Sequence, residues 1–405
     1  MTDINYTLQF AYSTEGLKDL VNRKATTYSK LGTSSRKPEG LGFKFAVETE
    51  GNQANLGAIN FGQTLPDGGG QSGENGLILP KETVQVVNLT NYQIQAGKGQ
   101  GAAFADTLTT NLDKGIEDHS KELNQQAYRS GSGIIAKVNG TVTASASVIV
   151  DEGIITHFRK GQKLAFYNGS TLEANRTVTK VNFNTLTVTV DSVVTLTNND
   201  DIYRVVGNID TKTAAPTDGK ELSGLKLVTD DGTLQTTYED INRTNVQEFD
   251  GIALDKNSAN LSDDMLQSLR SNILEQSGKE VSATSHKIFT SPRQFRKYMQ
   301  IVVPQLRFDV DGKLDSAGGR ATKTWMDLEW VEDTDCGFDE LYLLDMTDVK
   351  KYVLYDVKYE DQFGGGIMKW NGKDAMVAYS VSMVNIGAET PNTSARLFDL
   401  AYPSV

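Results

Sequence analysis

From Gly101 the chain reads GAAFADTLTTNLDKGIEDHSKELNQQAYR. Phe104, Leu108, Leu112, Ile116, His119, Leu123 and Ala127 recur at intervals of three and four, which puts them on one face of an α-helix. Asp106, Asp113, Lys114, Glu117, Asp118, Lys121 and Glu122 fall on the opposite face, and Glu117 precedes Lys121 in the favourable i,i+4 order. The spacing predicts a helix over Ala102–Arg129, about 40 Å long at roughly 1.5 Å per residue. Ser130-Gly131-Ser132-Gly133 follows, where glycine permits the left-handed turn that stops a helix. A long, half-buried rod therefore organises the chain, with glycine-rich irregular sequence before it and β-patterned sequence after it.

Residues 45–100 hold no helix-period segment. Gly51, Gly57, Gly62 and Gly68-Gly69-Gly70 punctuate polar sequence, and Asn60-Phe61 and Leu77-Ile78-Leu79 are its small apolar clusters. Glu82–Gln95 nearly alternates, as a strand does. The pattern predicts a long hairpin-like loop with its tip at Pro66–Glu74, returning through that strand. Such a loop cannot support itself, so a neighbouring subunit is expected to cover it. A phosphate cradle is the weaker reading of the glycines, because no Lys-Ser/Thr pair and no helix follows.

In 134–207, Thr141–Val150, Gly161–Tyr167, Arg176–Val190 and Ile202–Val206 read as strands, with turns at Asn168-Gly169 and Asn198–Asp201. This span predicts a compact β-domain inserted into a larger one. Asn199, Asp200 and Asp201 read as a solvated turn in preference to calcium ligands. Residues 221–340 are mixed. Ser262 caps a helix whose buried side is Met265, Leu266, Leu269, Ile273 and Leu274, with Gly278 as its stop. Lys287–Thr290 is a strand, and Ser291-Pro292 opens a second helix lined by Phe295, Tyr298, Met299 and Val302. Asp309–Gly312 is read as a turn, since it lacks the distal Glu of a calcium loop. Glu340–Leu344, Lys350–Lys358, Ala375–Val384 and Thr393–Tyr402 are closing strands, with Gly364–Gly366 as a turn.

Composition narrows the function. The 405 residues carry a net charge of −12, which argues against a general nucleic-acid binder. Residues 1–44 are the exception, with seven bases against four acids, +3 in all. Arg23, Lys24, Lys30, Arg36 and Lys37 make this a basic arm suited to a polyanion or an acidic neighbour, or a solvated end. No apolar run approaches a membrane-spanning length, and the N-terminus does not read as a signal peptide. Cys336 is the single cysteine, and His119, His157 and His286 show no metal-ligand spacing. No catalytic, metal or cofactor motif is present, so the chain is expected not to be an enzyme.

Residues 79–133, the segment FDGIALD, the helix DDMLQSLRSNILEQSG, then KIFTSPRQFRKYM, ELYLLDMTDVKKYVL and AMVAYSVSMVNI resemble, in order and texture, the major capsid proteins of tailed bacteriophages with the Hong Kong 97-type capsid fold. That resemblance implies an α+β chain with an N-terminal arm (1–44) and an extended loop (45–95). It also implies a peripheral domain with a spine helix (96–133 and 341–405), an all-β insertion (134–207) and an axial domain (208–340). It implies self-assembly as pentamers and hexamers into an icosahedral shell around double-stranded DNA, in a virion assembled in the host cytoplasm. A separate scaffolding protein, a portal and decoration proteins would be the partners. Gly68, Gly69 and Gly70 would be the tip of the assembly loop. Lys44 and Lys81 lie near that loop, but no crosslinking pair is matched, so no crosslink is expected. A tail-tube or decoration protein and an encapsulin-type compartment are the alternatives. The long helix speaks against a tube, and the β-rich insertion favours a virus over a compartment.

Overall fold

The computed structural model describes residues 24–50, 57–64, 70–90, 101–151, 154–206, 209–210, 212, 219–302, 324–359, 368–369 and 375–401. Asp309–Gly312 and Gly364–Gly366 lie outside them.

Gly101–Ala127 is one helix. His119, Leu123 and Ala127 are buried, Leu112 and Ile116 are half-buried, and Asp113, Glu117 and Asp118 face solvent. Lys121 and Glu122 depart from the expected solvent face. Lys121 is buried and reaches Glu117 at 3.0 Å, while Glu122 pairs with Arg129 and Arg204. The reason is local: the last two turns are packed on all sides, so Asn124, Gln125 and Gln126 are buried as well and satisfied by partners. Gly131 and Gly133 then take φ of +72° and +83° and end the rod.

The helix packs on a five-stranded sheet. Its order is Gly32–Thr33, Lys350–Tyr359, Ala375–Gly387 and Met368–Lys369, with Lys81–Thr90 also paired to Ala375–Gly387. Tyr359 donates its hydroxyl to the Leu112 carbonyl at 2.6 Å, which ties sheet to helix. Lys81–Thr90 is therefore a strand of this sheet and not the returning arm of the loop. The loop closes earlier, where Phe43–Glu50 pairs antiparallel with Ser72–Ile78. Glu74 sits opposite Val47 inside that ladder, so it is not at the tip. SGENGLI carries no apolar alternation. It is a strand because Gly76 lets the Phe45 ring lie across it, where an added Cβ would come within 2.1 Å of the ring.

Strands between 134 and 210 form a seven-stranded sheet, and among the described residues they pair only with one another. Ile135, Val148, Leu164, Phe166, Val178, Val188 and Ile202 belong to its own core, joined from outside by Phe338. Arg176–Val190 is not one strand. Thr171–Asn182 and Thr187–Leu196 are joined by a turn in which Asn182 Oδ1 accepts from the backbone of Asn184 and Thr185. The apolar alternation runs on through that turn, which hid it.

A six-stranded sheet runs Ile252–Ala259, Ala395–Leu400, Leu341–Asp345, His286–Thr290, Leu328–Glu332 and Thr324–Trp325. The helices Asp263–Ser277 and Pro292–Val302 lie on it. Ser262 Oγ accepts from Met265 N, and Gly278 ends the first helix at φ +67°. Leu266, Leu269 and Ile273 are buried, but Leu274 turns outward. Tyr298 of the second helix stacks on Trp330 at 4.3 Å. A division of the chain at 340 does not follow the sheets. Leu341–Asp345 and Ala395–Leu400 sit within this sheet, whereas Lys350–Tyr359 and Ala375–Gly387 belong to the sheet under the long helix. The run LYLLD is buried at every position, and an interior strand covered on both faces is where such a run is stable.

Candidate assembly elements

Among the described residues, the extended hairpin has support only at its root. Phe43, Phe45 and Ile78 enter the main core, Leu77 N donates to the Glu239 carbonyl at 2.8 Å, and Asn385 Nδ2 donates to the Leu79 carbonyl at 2.8 Å. Beyond the root, residues 57–64 are exposed throughout, with Phe61 fully in solvent and Ile59 48% exposed. Gly70 is exposed with open space where a side chain would be, while Gly68 and Gly69 lie outside the described residues. Val84 and Val86 expose a further apolar stripe on Lys81–Thr90. Large apolar groups held in water on a projecting element point to a covering partner.

The basic arm is tied to the body. Lys30 reaches Glu329 at 2.5 Å, and Lys287 shares that carboxylate at 2.6 Å. These two hydrogen bonds, Lys287 first, hold the Glu329 carboxyl below the usual range. Arg36 grips Glu389 with two nitrogens, and that hydrogen bond likewise holds Glu389 low. Lys24 and Lys37 are exposed, and Arg23 lies outside the described residues. The arm's firmest anchor was not singled out in the sequence. Thr27 donates through its backbone N (3.0 Å) and its hydroxyl (2.6 Å) to Asp333 Oδ2, and Tyr28 N donates to Asn124 Oδ1 at 2.9 Å. In the acidic segment Asp333–Glu340, Asp333, Asp335, Asp339 and Glu340 are all buried. No pattern in the chain marks them.

The seven-stranded sheet is pinned to the long helix by charge. Arg204 of that sheet and Arg129 at the helix end both face Glu122, and Arg129 also meets Glu221 at 2.7 Å. Burial alone would raise the Glu122 carboxyl, but the two guanidiniums bring it to about 2. His157 hydrogen-bonds the Asp335 carbonyl at 2.8 Å, and Arg293 donates to the Phe183 carbonyl at 2.9 Å.

His119, Cys336 and Asp200 are each held inside the fold. His119 bridges Ser380 and Ser382 at 2.8 and 3.0 Å, and burial pushes its pKa down. Cys336 is buried and its thiol pushed well up. Asp200 caps its own turn through Thr197 N and Oγ1. Among the described residues no group of three metal-ligating side chains converges, and no helix is long and apolar enough to cross a membrane.

No family model matches the chain, and no curated protein matches it. Solved structures do. A chain of the cyanophage A-1(L) capsid asymmetric unit is 10% identical, covers 96% of this chain over 96% of its own length, and superposes with a TM-score of 0.61. Weaker likenesses include the capsid of the native GTA particle, 9% identical with 99% and 100% coverage and a TM-score of 0.49. The SrpI encapsulin of Synechococcus elongatus is another, 11% identical with 99% and 96% coverage and a TM-score of 0.47. End to end, the chain is an α+β protein with the fold of the cyanophage A-1(L) capsid chain.

Proposed function

We propose that this chain is a major capsid protein that assembles, as pentamers and hexamers, into an icosahedral shell around viral double-stranded DNA. The observation that carries the reading is the end-to-end fold likeness to a capsid chain. The projecting hairpin, with its exposed Ile59 and Phe61, supports it, because nothing described in its own subunit covers those side chains. An acidic chain suits the lining of a DNA container, since it encloses the polymer without gripping it.

On this reading the arm comprises 1–44 and the extended loop runs from 45 to the end of Ser72–Ile78. The peripheral layer is the long helix with its five-stranded sheet, and the axial part is the six-stranded sheet with its two helices. The seven-stranded sheet at 134–210 is an insertion. The chain acts as a structural protein, with portal, scaffolding and decoration proteins as partners in the virion.

The test is a double variant, Ile59→Ala with Phe61→Ala. The unassembled subunit should melt within about 0.5 kcal/mol of wild type, as exposed substitutions do. Assembly to large particles, followed by size-exclusion chromatography, should fail or need a much higher protein concentration. Normal particle yield at every concentration would refute the role given to the hairpin.

A further inference from the structure

Glu239 stands where the extended hairpin joins the body. Glu239 and Asp240 form the two-residue turn between Thr237–Tyr238 and Ile241–Asn242, with φ of +51° and +70°. Turns of this kind favour Asn and Gly, so an acid held there marks a constrained position. Its carbonyl accepts from Leu77 N, the last stretch of the hairpin. Its carboxyl oxygens are both buried, and Oε1 lies over Gly387, where an added Cβ would come within 2.3 Å. Ile78 presses on the same glycine, 2.9 Å from that position. One residue thus joins the turn, the hairpin and the end of Ala375–Gly387.

We propose that protonated Glu239 is the pin that fixes the angle of the extended hairpin, and that loss of this proton releases the hairpin's root. A carboxylate cannot stay packed over Gly387 without solvation. A cleft of about 210 Å³ opens beside it, lined by Leu77, Leu79, Tyr238, Glu239 and Asn385. A charged Glu239 would swing into that cleft, and its carbonyl, the acceptor of Leu77 N, would move with it.

The groups facing the carboxyl agree. Tyr238 precedes it at the end of Thr237–Tyr238 and Arg243 follows the turn, while Tyr352 approaches from Lys350–Tyr359 and Asp348 from just before that strand. Lys81 and Glu221 line the same cleft. Burial, then the charge of Asp348, pushes the Glu239 carboxyl well above its ordinary range, against the pull of Tyr238, Arg243 and the Ala388 backbone. A folded pKa above the unfolded one favours the pinned state at low pH and weakens it as pH rises. The consequence for assembly rests on the capsid reading, but the pin itself does not.

The experiment is amide hydrogen exchange at Leu77 on unassembled subunits, with protection measured relative to intrinsic exchange from about pH 5 to about pH 10. Wild-type protection should fall with rising pH, approaching tenfold per pH unit as one proton is lost. Glu239→Gln should keep protection flat and high, because the amide is neutral at every pH. Gly387→Ala should lose protection across the range. A flat wild-type profile, or a Glu239→Gln profile that follows wild type, would overturn the proposal whether or not the protein forms shells.

Discussion

Asp333 gives the sharpest test of how the arm is held. Its Oδ2 accepts from Thr27 N at 3.0 Å, Thr27 Oγ1 at 2.6 Å and Asn124 Nδ2 at 3.1 Å, and its Oδ1 accepts from Asp335 N at 2.9 Å. All of these groups are buried. A hydrogen bond to a charged acceptor contributes about 1.5–3 kcal/mol, and a buried donor left unmatched loses about as much again as a neutral bond gives. Asp333→Ala leaves the Asp335 amide and both Thr27 donors without this acceptor. Asn124 keeps Asp335 Oδ2 at 2.8 Å, and the Thr27 hydroxyl keeps Tyr128. The bonds share one oxygen and do not add, so the expected loss is about 3–5 kcal/mol. Urea unfolding of the unassembled subunit reads that number. Limited tryptic digestion reads its location, since a freed arm becomes cleavable after Lys30 well before global unfolding. Thr27→Val, which removes the hydroxyl but not the backbone donor, should reproduce part of the loss and couple to Asp333→Ala in a double-mutant cycle. A loss under about 1 kcal/mol, with Lys30 still protected, would refute the anchor.

Two further outcomes follow from burial and charge. Leu123→Ala, at a fully buried helix position, should cost about 2–5 kcal/mol in urea unfolding, whereas half-buried Ile116→Ala should cost clearly less; equal losses would mean that the wrong helix face has been taken as core. Glu122, held at about 2 against an ordinary value of 4.5, contributes stability that is present above pH 4.5 and lost as pH falls toward 2. In acid titrations followed by circular dichroism, Glu122→Gln should already lack about 3 kcal/mol at neutral pH and show a flatter acid limb, and an acid limb identical to wild type would contradict the pairing with Arg204 and Arg129.

The elements that announce themselves by period were legible in the chain. The long helix, the Ser262-capped helix, the Pro292 helix and most strands lie within a few residues of expectation. What failed was whatever depends on a distant partner. Ser72–Ile78 is a strand because Phe45 lies across Gly76, and no local pattern shows that. Leu341–Asp345 and Lys350–Tyr359 are adjacent in sequence and belong to different sheets, because the choice is made by which faces are covered. Lys121 and Glu122 are charged and read as solvent-facing, yet Lys121 is buried against Glu117 of its own helix and Glu122 is half-buried between Arg129 and the distant Arg204. Asp333, buried with Thr27 as its partner, has no local pattern to mark it. The basic arm was visible as a charge excess, but two of its cations, Lys30 and Arg36, turn out to bind their own subunit. Arg23 lies outside the described residues, and Lys24, Lys30, Arg36 and Lys37 all stay exposed.

Electron microscopy of the purified full chain, beside size-exclusion chromatography, tests the central claim most directly. The account predicts closed polyhedral shells, or rings of five and six subunits, with the sheet at 134–210 resolved as a separate lobe on each subunit. Open tubes, or a uniform monomer at every concentration, would contradict it.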